Sequence, residues 1–96
     1  MPKIIAHRGA SSEEPENTIS SIMRAIEIGA DYIELDVHLS ADKVPIVIHD
    51  PTFCRTTNAE KGKHVHKTHL HEVKALDAGA WFKGESTGEK IPTLEE

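Results

Sequence analysis

The sequence predicts an α/β fold. Three observations carry that reading: short apolar runs that end in charged residues, one stretch with helical spacing between a start and a stop signal, and one stretch that alternates strictly between apolar and polar residues. Composition allows a packed domain, because 38% of the 96 residues are hydrophobic and six more are glycine, close to the globular average of roughly 45–50%. Sixteen Asp and Glu against eleven Lys and Arg give a formal charge of −5, which argues against a sequence-independent grip on nucleic acid or anionic lipid. Any phosphate must be met locally. The single cysteine, Cys54, cannot form an internal disulfide, and no apolar run precedes the polar pair His7-Arg8. A disulfide knot is excluded, no signal peptide or membrane span is expected, and a reducing cytoplasm is the expected location.

The first element is Ile4-Ile5-Ala6, an apolar run ending in His7-Arg8-Gly9, which reads as a buried strand delivering polar groups at its C-terminal end. Pro15-Glu16-Asn17-Thr18 then opens a helix. Ile19, Ile22, Met23 and Ile26 recur at the spacing of one helix face, and Gly29 supplies the stop. Tyr32 to His38 alternates, so a single strand places Ile33, Leu35 and Val37 on one face and Glu34, Asp36 and His38 on the other. After the polar turn Ser40-Ala41-Asp42-Lys43, Val44 to Ile48 reads as a third strand ending in His49-Asp50. That turn is far too short for the helical crossover that parallel strands need, so the local pattern predicts a hairpin.

Residues 51–90 differ in character: they are polar and histidine-rich, with glycines at 62, 79, 84 and 88. Leu70, Val73 and Leu76 suit a short helix capped by Thr68, and Trp81-Phe82 offers an apolar anchor for docking it. Ile91 to Glu96, with Pro92, Thr93 and two acidic residues, predicts the beginning of another helix. No internal repeat and no linker divides the chain.

The polar groups gather at the predicted strand ends. Glu34 and Asp36 on one strand face repel each other unless a cation or a proton neutralises them, and an all-oxygen carboxylate pair favours a divalent Mg²⁺ or Ca²⁺ over zinc. The competing reading is an ordinary solvated strand. His7 and His49 follow two strand ends and carry the side chain best suited to moving protons near neutral pH. The planar fork of Arg8 suits a phosphate oxygen, or alternatively a salt bridge to the carboxylates. Glu16 opens the first helix and is a candidate for the polar network around a metal, whereas Asn17 and Thr18 are as well placed to cap that helix. Asp50 either orients His49 or shapes the turn at Pro51. His64, His66, His69 and His71, with Cys54, invite a zinc site, but their spacing fits exposed histidines on a polar excursion better.

Taken in order, His7-Arg8-Gly9, Pro15-Glu16-Asn17-Thr18, Glu34-x-Asp36 and His49-Asp50-Pro51 resemble the start of the glycerophosphodiester phosphodiesterase family. The likeness continues through Arg55-Thr56-Thr57-Asn58, Leu76-Asp77-Ala78-Gly79, Trp81-Phe82 and Ile91-Pro92-Thr93-Leu94. The resemblance implies a distorted (β/α)8, TIM-like barrel with a small subdomain inserted after the third strand. On that basis residues 1–96 are the N-terminal portion of one barrel domain, with about three of its strands, and residues 51–90 are the insertion; a whole barrel typically needs roughly 250 residues. Such a piece needs the rest of a barrel or self-association to cover its edges. The resemblance also implies a substrate, a small glycerophosphodiester, cleaved to an alcohol and glycerol 3-phosphate. His7 and His49 then face each other as acid and base, Arg8 holds the phosphate, Glu34 and Asp36 hold the metal, and Glu16, Asn17 and Asp50 support them. The family has a further metal carboxylate in a Glu-x-Lys-like pattern on a later strand, which nothing in this sequence matches. A phospholipase D-like lyase giving a cyclic phosphate, and an inactive metal-binding or assembly module, are the alternatives.

Overall fold

A computed structural model describes residues 3–84 and 87–96. The elements in chain order are β1 (Ile5–His7), α1 (Ile19–Glu27), β2 (Tyr32–Glu34), β3 (Val37–Leu39), β4 (Pro45–Val47), a 3₁₀ turn (Val65–Lys67), α2 (Leu70–Val73) and α3 (Ala80–Lys83). β1 and β2 pair in parallel, with Ile5 opposite Tyr32 and His7 opposite Glu34. The predicted hairpin is present, β3 and β4 pairing antiparallel from Val37–Val47 to Leu39–Pro45. No helix among the described residues is long and apolar enough to cross a membrane.

The stretch from Tyr32 to His38 is not one strand. It breaks at Leu35-Asp36, so β2 belongs to the parallel pair and β3 to the hairpin. The cause is long-range: the Asp36 carbonyl accepts from the Ile48 N–H at 2.9 Å, and its side chain accepts from Asn17 Nδ2 at 3.1 Å. Alternation continues through the break, so periodicity could not reveal it. Four strands in two separate pairs consequently stand where the sequence pattern predicts three strands.

α1 starts and stops where its signals lie. Thr18 Oγ1 accepts from the Ser21 N–H and Ser21 Oγ accepts from the Thr18 N–H, both at 3.2 Å, a reciprocal capping box. Gly29, with φ +78°, follows the last turn. The face it buries is unexpected. Ser21 and Ala25 point inward onto Ala6 and Ala10, while Ile19, Met23 and Ile26 lie exposed. β1 is likewise exposed on one side: Ile5 keeps 63% of its surface, which corrects the reading of a buried strand.

The larger core lies in the second half of the chain. Ile46, Ile48, Phe53, Val65, Val73, Ala78 and Ile91 are all buried and mutually packed. The excursion after β4 is pinned to that core by Phe53, whose N–H donates to the Lys63 carbonyl, and by the Thr52–His64 bridge. α2 is shorter than its apolar spacing suggested, and its N-cap is His69 rather than Thr68. Thr68 is buried and donates instead to the His64 carbonyl at 2.7 Å, while Asp42 of the hairpin turn accepts from the Leu70 N–H. Trp81 is exposed and is not the docking anchor, a role that Phe53 fills. The final residues form a bridge between Ile46 and Thr93 followed by a turn, with Glu96 Oε1 accepting from the Thr93 N–H as a capping side chain does.

Candidate functional site

The candidate residues fall into two groups: His7 with Glu34 on the parallel pair, and Arg8, Glu16, Asn17, Asp36, His49 and Asp50 in a polar network between the two halves. The parallel register of β1 and β2 sets His7 opposite Glu34, with Nε2 3.6 Å from Oε2. Glu34 Oε1 is buried and has no hydrogen-bond partner among the described residues, and the same is true of Asn17 Oδ1.

Two residues reach this place with left-handed backbones, Arg8 at φ +58° and Asn17 at φ +55°. Such conformations cost roughly 1–3 kcal/mol each and persist only where the surroundings impose them. Here they hold each other, since the Arg8 carbonyl accepts from the Asn17 N–H at 2.9 Å and from Ser21 Oγ at 3.2 Å. Gly9 makes the approach feasible: at φ +80°, a Cβ there would lie 2.8 Å from the Ser21 carbonyl carbon. Asn17 is therefore not the helix cap, which is Thr18, and its amide reaches the site.

Arg8 is ion-paired rather than free. Its Nη1 lies 3.3 Å from Glu16 Oε2, and its Nε is 3.3 Å from Asp36 Oδ2, close enough for charge attraction but without hydrogen-bond geometry. Glu16, only 9% exposed at its side chain, also receives two hydrogen bonds from Arg55, at 2.9 and 2.8 Å. Arg55 in turn donates to both oxygens of Asp50, and Asp50 Oδ1 lies 2.8 Å from His49 Nδ1. Hydrogen bonds from Arg55, then from His49, bring the Asp50 carboxyl down from 3.8 to about 2 against the opposing effect of burial. The Asp50 and Glu16 carboxylates hold Arg55 well above its ordinary range. His38 Nε2 lies 2.8 Å from the His49 carbonyl, tying that residue to β3.

His7 and His49 thus each pair with a different carboxylate. Sequence reasoning missed the link that ties the site together, Arg55, because its partner Glu16 stands 39 positions away. The remaining histidines lie outside this network, His64 against His66 and His69 against His71, as ring contacts. Among the described residues no group of three or more His, Cys, Asp or Glu is gathered as a metal cage.

The donor set nevertheless suits a hard cation. The candidate residues include four carboxylates, Glu16, Asp36 and Asp50 in the network and Glu34 beside His7, against two guanidiniums, so with neutral imidazoles the set carries two formal negative charges in excess. A buried carboxylate oxygen and a buried amide oxygen without partners are costly as they stand, and they are oxygen ligands of the kind Mg²⁺ and Ca²⁺ take.

Residues 7–96 match the Glycerophosphoryl diester phosphodiesterase family. A glycerophosphodiester phosphodiesterase of Caldanaerobacter subterraneus subsp. tengcongensis is 54% identical over 93 residues, which are 97% of this chain and 37% of that relative. The crystal structure of a glycerophosphodiester phosphodiesterase from Agrobacterium tumefaciens superposes with a TM-score of 0.91 at 48% identity, over 98% of this chain and 40% of that one. A phosphodiesterase of Oleispira antarctica, solved in complex with the product sn-glycerol-3-phosphate, gives 0.90 at 45% identity, over 98% and 37%. The chain spans little more than a third of the length of these relatives, and its fold is compatible with their TIM barrels.

Proposed function

We propose that this chain, which belongs to the glycerophosphoryl diester phosphodiesterase family, carries the acid–base and part of the metal-binding apparatus of a glycerophosphodiester hydrolase. Residues 1–96 form the N-terminal portion of one barrel domain, and residues 51–90 are its inserted subdomain. The remaining strands cover the exposed faces of β1 and α1, or a second copy does so. The reaction splits a glycerophosphodiester into an alcohol and glycerol 3-phosphate, the compound that the Oleispira relative holds. The lone Cys54 accords with action in a reducing cytoplasm.

The observation that carries this reading is the β1–β2 register, which puts an imidazole beside a carboxylate whose second oxygen is buried and unpartnered. Glu34 and Asp36, with the Asn17 amide oxygen nearby, would hold Mg²⁺ or Ca²⁺. When bound, such an ion neutralises the surplus negative charge and polarises a phosphoryl oxygen. Arg8, already tied to Glu16 and Asp36, presents its guanidinium to another phosphate oxygen. His49, with Nδ1 engaged by Asp50, offers Nε2 to take or give a proton. His7 supplies the second proton-transfer group, one imidazole activating the attacking hydroxyl or water and the other protonating the leaving oxygen.

The test is release of glycerol 3-phosphate from glycerophosphocholine with Mg²⁺ or Ca²⁺, with EDTA, and by the His7→Ala variant. Turnover abolished by EDTA and by His7→Ala is the expected result. Turnover indifferent to either contradicts the assignment, and a cyclic phosphate product would convert it to a lyase.

A further inference from the structure

We propose that Arg55 is a positioning residue for His49, acting through Asp50 while it anchors Glu16 with the same guanidinium. This rests on the hydrolase reading for its consequence in turnover, but its geometric content stands apart from that reading.

Arg55 donates four hydrogen bonds to two carboxylates at once. Nε reaches Asp50 Oδ2 at 2.8 Å and Nη2 reaches Asp50 Oδ1 at 3.0 Å. Nη1 and Nη2 reach the two oxygens of Glu16 at 2.9 and 2.8 Å. A planar guanidinium fixes the angle between its donors, so the two carboxylates are held in a set relation that no ammonium could impose. The ring of Trp81, 5.9 Å from the guanidinium carbon, adds a further restraint.

The clamp is mounted rigidly. Arg55 lies in a turn closed by the Thr57 N–H and Thr57 Oγ1, both donating to the Phe53 carbonyl at 3.1 and 2.7 Å. Phe53 itself is fully buried in the larger core. Arg55 thereby links the packed half of the molecule to two carboxylates of the polar seam.

The consequence falls on a proton. An ionised carboxylate accepts hydrogen bonds and cannot donate, so Asp50 requires the proton of a neutral His49 to sit on Nδ1. Nε2 is then left with its lone pair, the state that a base needs. Without Arg55, Asp50 is a partly exposed side chain next to His49 in sequence with no other described residue holding its Oδ2, and the imidazole loses its fixed partner.

Nitrogen-15 NMR of the His49 ring reads the tautomer directly, alongside kcat and KM for glycerophosphocholine. In the unaltered protein the neutral ring is expected as the Nδ1–H form. Arg55→Ala should give a mixture of tautomers and a kcat lower by about 10–100-fold at unchanged KM, the usual cost of losing an outer partner of a site residue. Arg55→Lys keeps the charge without the fork and should fall between the two. Asp50→Asn breaks the same link, so combining it with Arg55→Ala should cost little beyond either change alone. The amide shifts around Val73 report whether each variant keeps its fold, and Arg55→Lys serves if the alanine variant does not. An unchanged Nδ1–H tautomer in a folded Arg55 variant overturns the proposal, as does a raised KM at constant kcat, which would make Arg55 a substrate ligand. Absence of turnover in every protein, with the tautomer shift present, would refute the hydrolase reading and leave the positioning role standing.

Discussion

The two halves of this chain are built differently. From β4 to Ile91 the molecule closes around large apolar side chains, with Ile46, Phe53, Val65 and Val73 essentially inaccessible. From β1 to β2 the contact is a small cluster of alanines, and Ile4, Ile5, Met23, Ile26, Ile28 and Tyr32 face outward. The first region packs on itself; the second presents apolar surface for something else to cover. The seam between them is polar. Arg55 meets Glu16, Lys83 meets Glu14 at 3.0 Å, and Ser20 meets Glu89. The candidate residues Arg8, Glu16, Asp36, His49 and Asp50 thus stand where charge, not apolar burial, joins the halves.

Removing a large side chain from each half should show the largest difference between them. Phe53→Ala should cost about 3–5 kcal/mol of stability, because the ring is fully buried and leaves a cavity. Ile26→Ser should stay within about 0.5 kcal/mol, because that side chain is 59% exposed. Urea denaturation of the two variants measures both. Comparable losses would mean that the first half is packed as tightly as the second.

Acid should open the seam by a smaller margin. Asp50 is held down, to about 2, so its folded state binds a proton less readily than its unfolded state. The contribution it makes is full above the ordinary carboxylate value of 3.8 and is lost as pH falls through about 2. Asp77 behaves alike in the other half. Its carboxylate accepts from the N–H groups of Gly79, Thr87, Ala80 and Gly88, and these bonds hold it far below its ordinary value. Acid titration followed by the amide signals of Arg55 and Gly79 should therefore show both sites intact at pH 4 and loosening only well below it. Loosening of either at the pH of a free carboxylate would contradict the arrangement.

Local signals in the sequence were read well where the structure is local. The helix from Thr18 to Gly29, the hairpin turn at Ser40–Lys43 and the polar strand ends all follow from neighbours in the chain. What escaped depends on distant partners. The break at Leu35-Asp36 follows from Ile48 and Asn17, and the outward turn of Met23 and Ile26 reflects alanines on β1 and in the loop after it. Periodicity marks an apolar face but not what covers it. Trp81 looked like an anchor by size alone, whereas Phe53, in a polar setting, became the core. Of the candidate site, the residue types were legible and the pairing was not: Arg8 met Glu16 and Asp36, and Arg55 joined what the motifs had left separate.

A divalent cation held at Glu34, whose buried Oε1 has no partner among the described residues, is what the hydrolase reading needs most. The direct measurement is the thermal midpoint with and without Mg²⁺ or Ca²⁺, for the unaltered chain, for Glu34→Gln, and for Glu72→Gln, which alters a carboxylate paired with Lys63 in the other half. A ligand that binds only the folded state raises the midpoint by mass action. The midpoint should rise in the unaltered chain and in Glu72→Gln, and the rise should vanish in Glu34→Gln. No rise in any protein, or the same rise in Glu34→Gln, would contradict it.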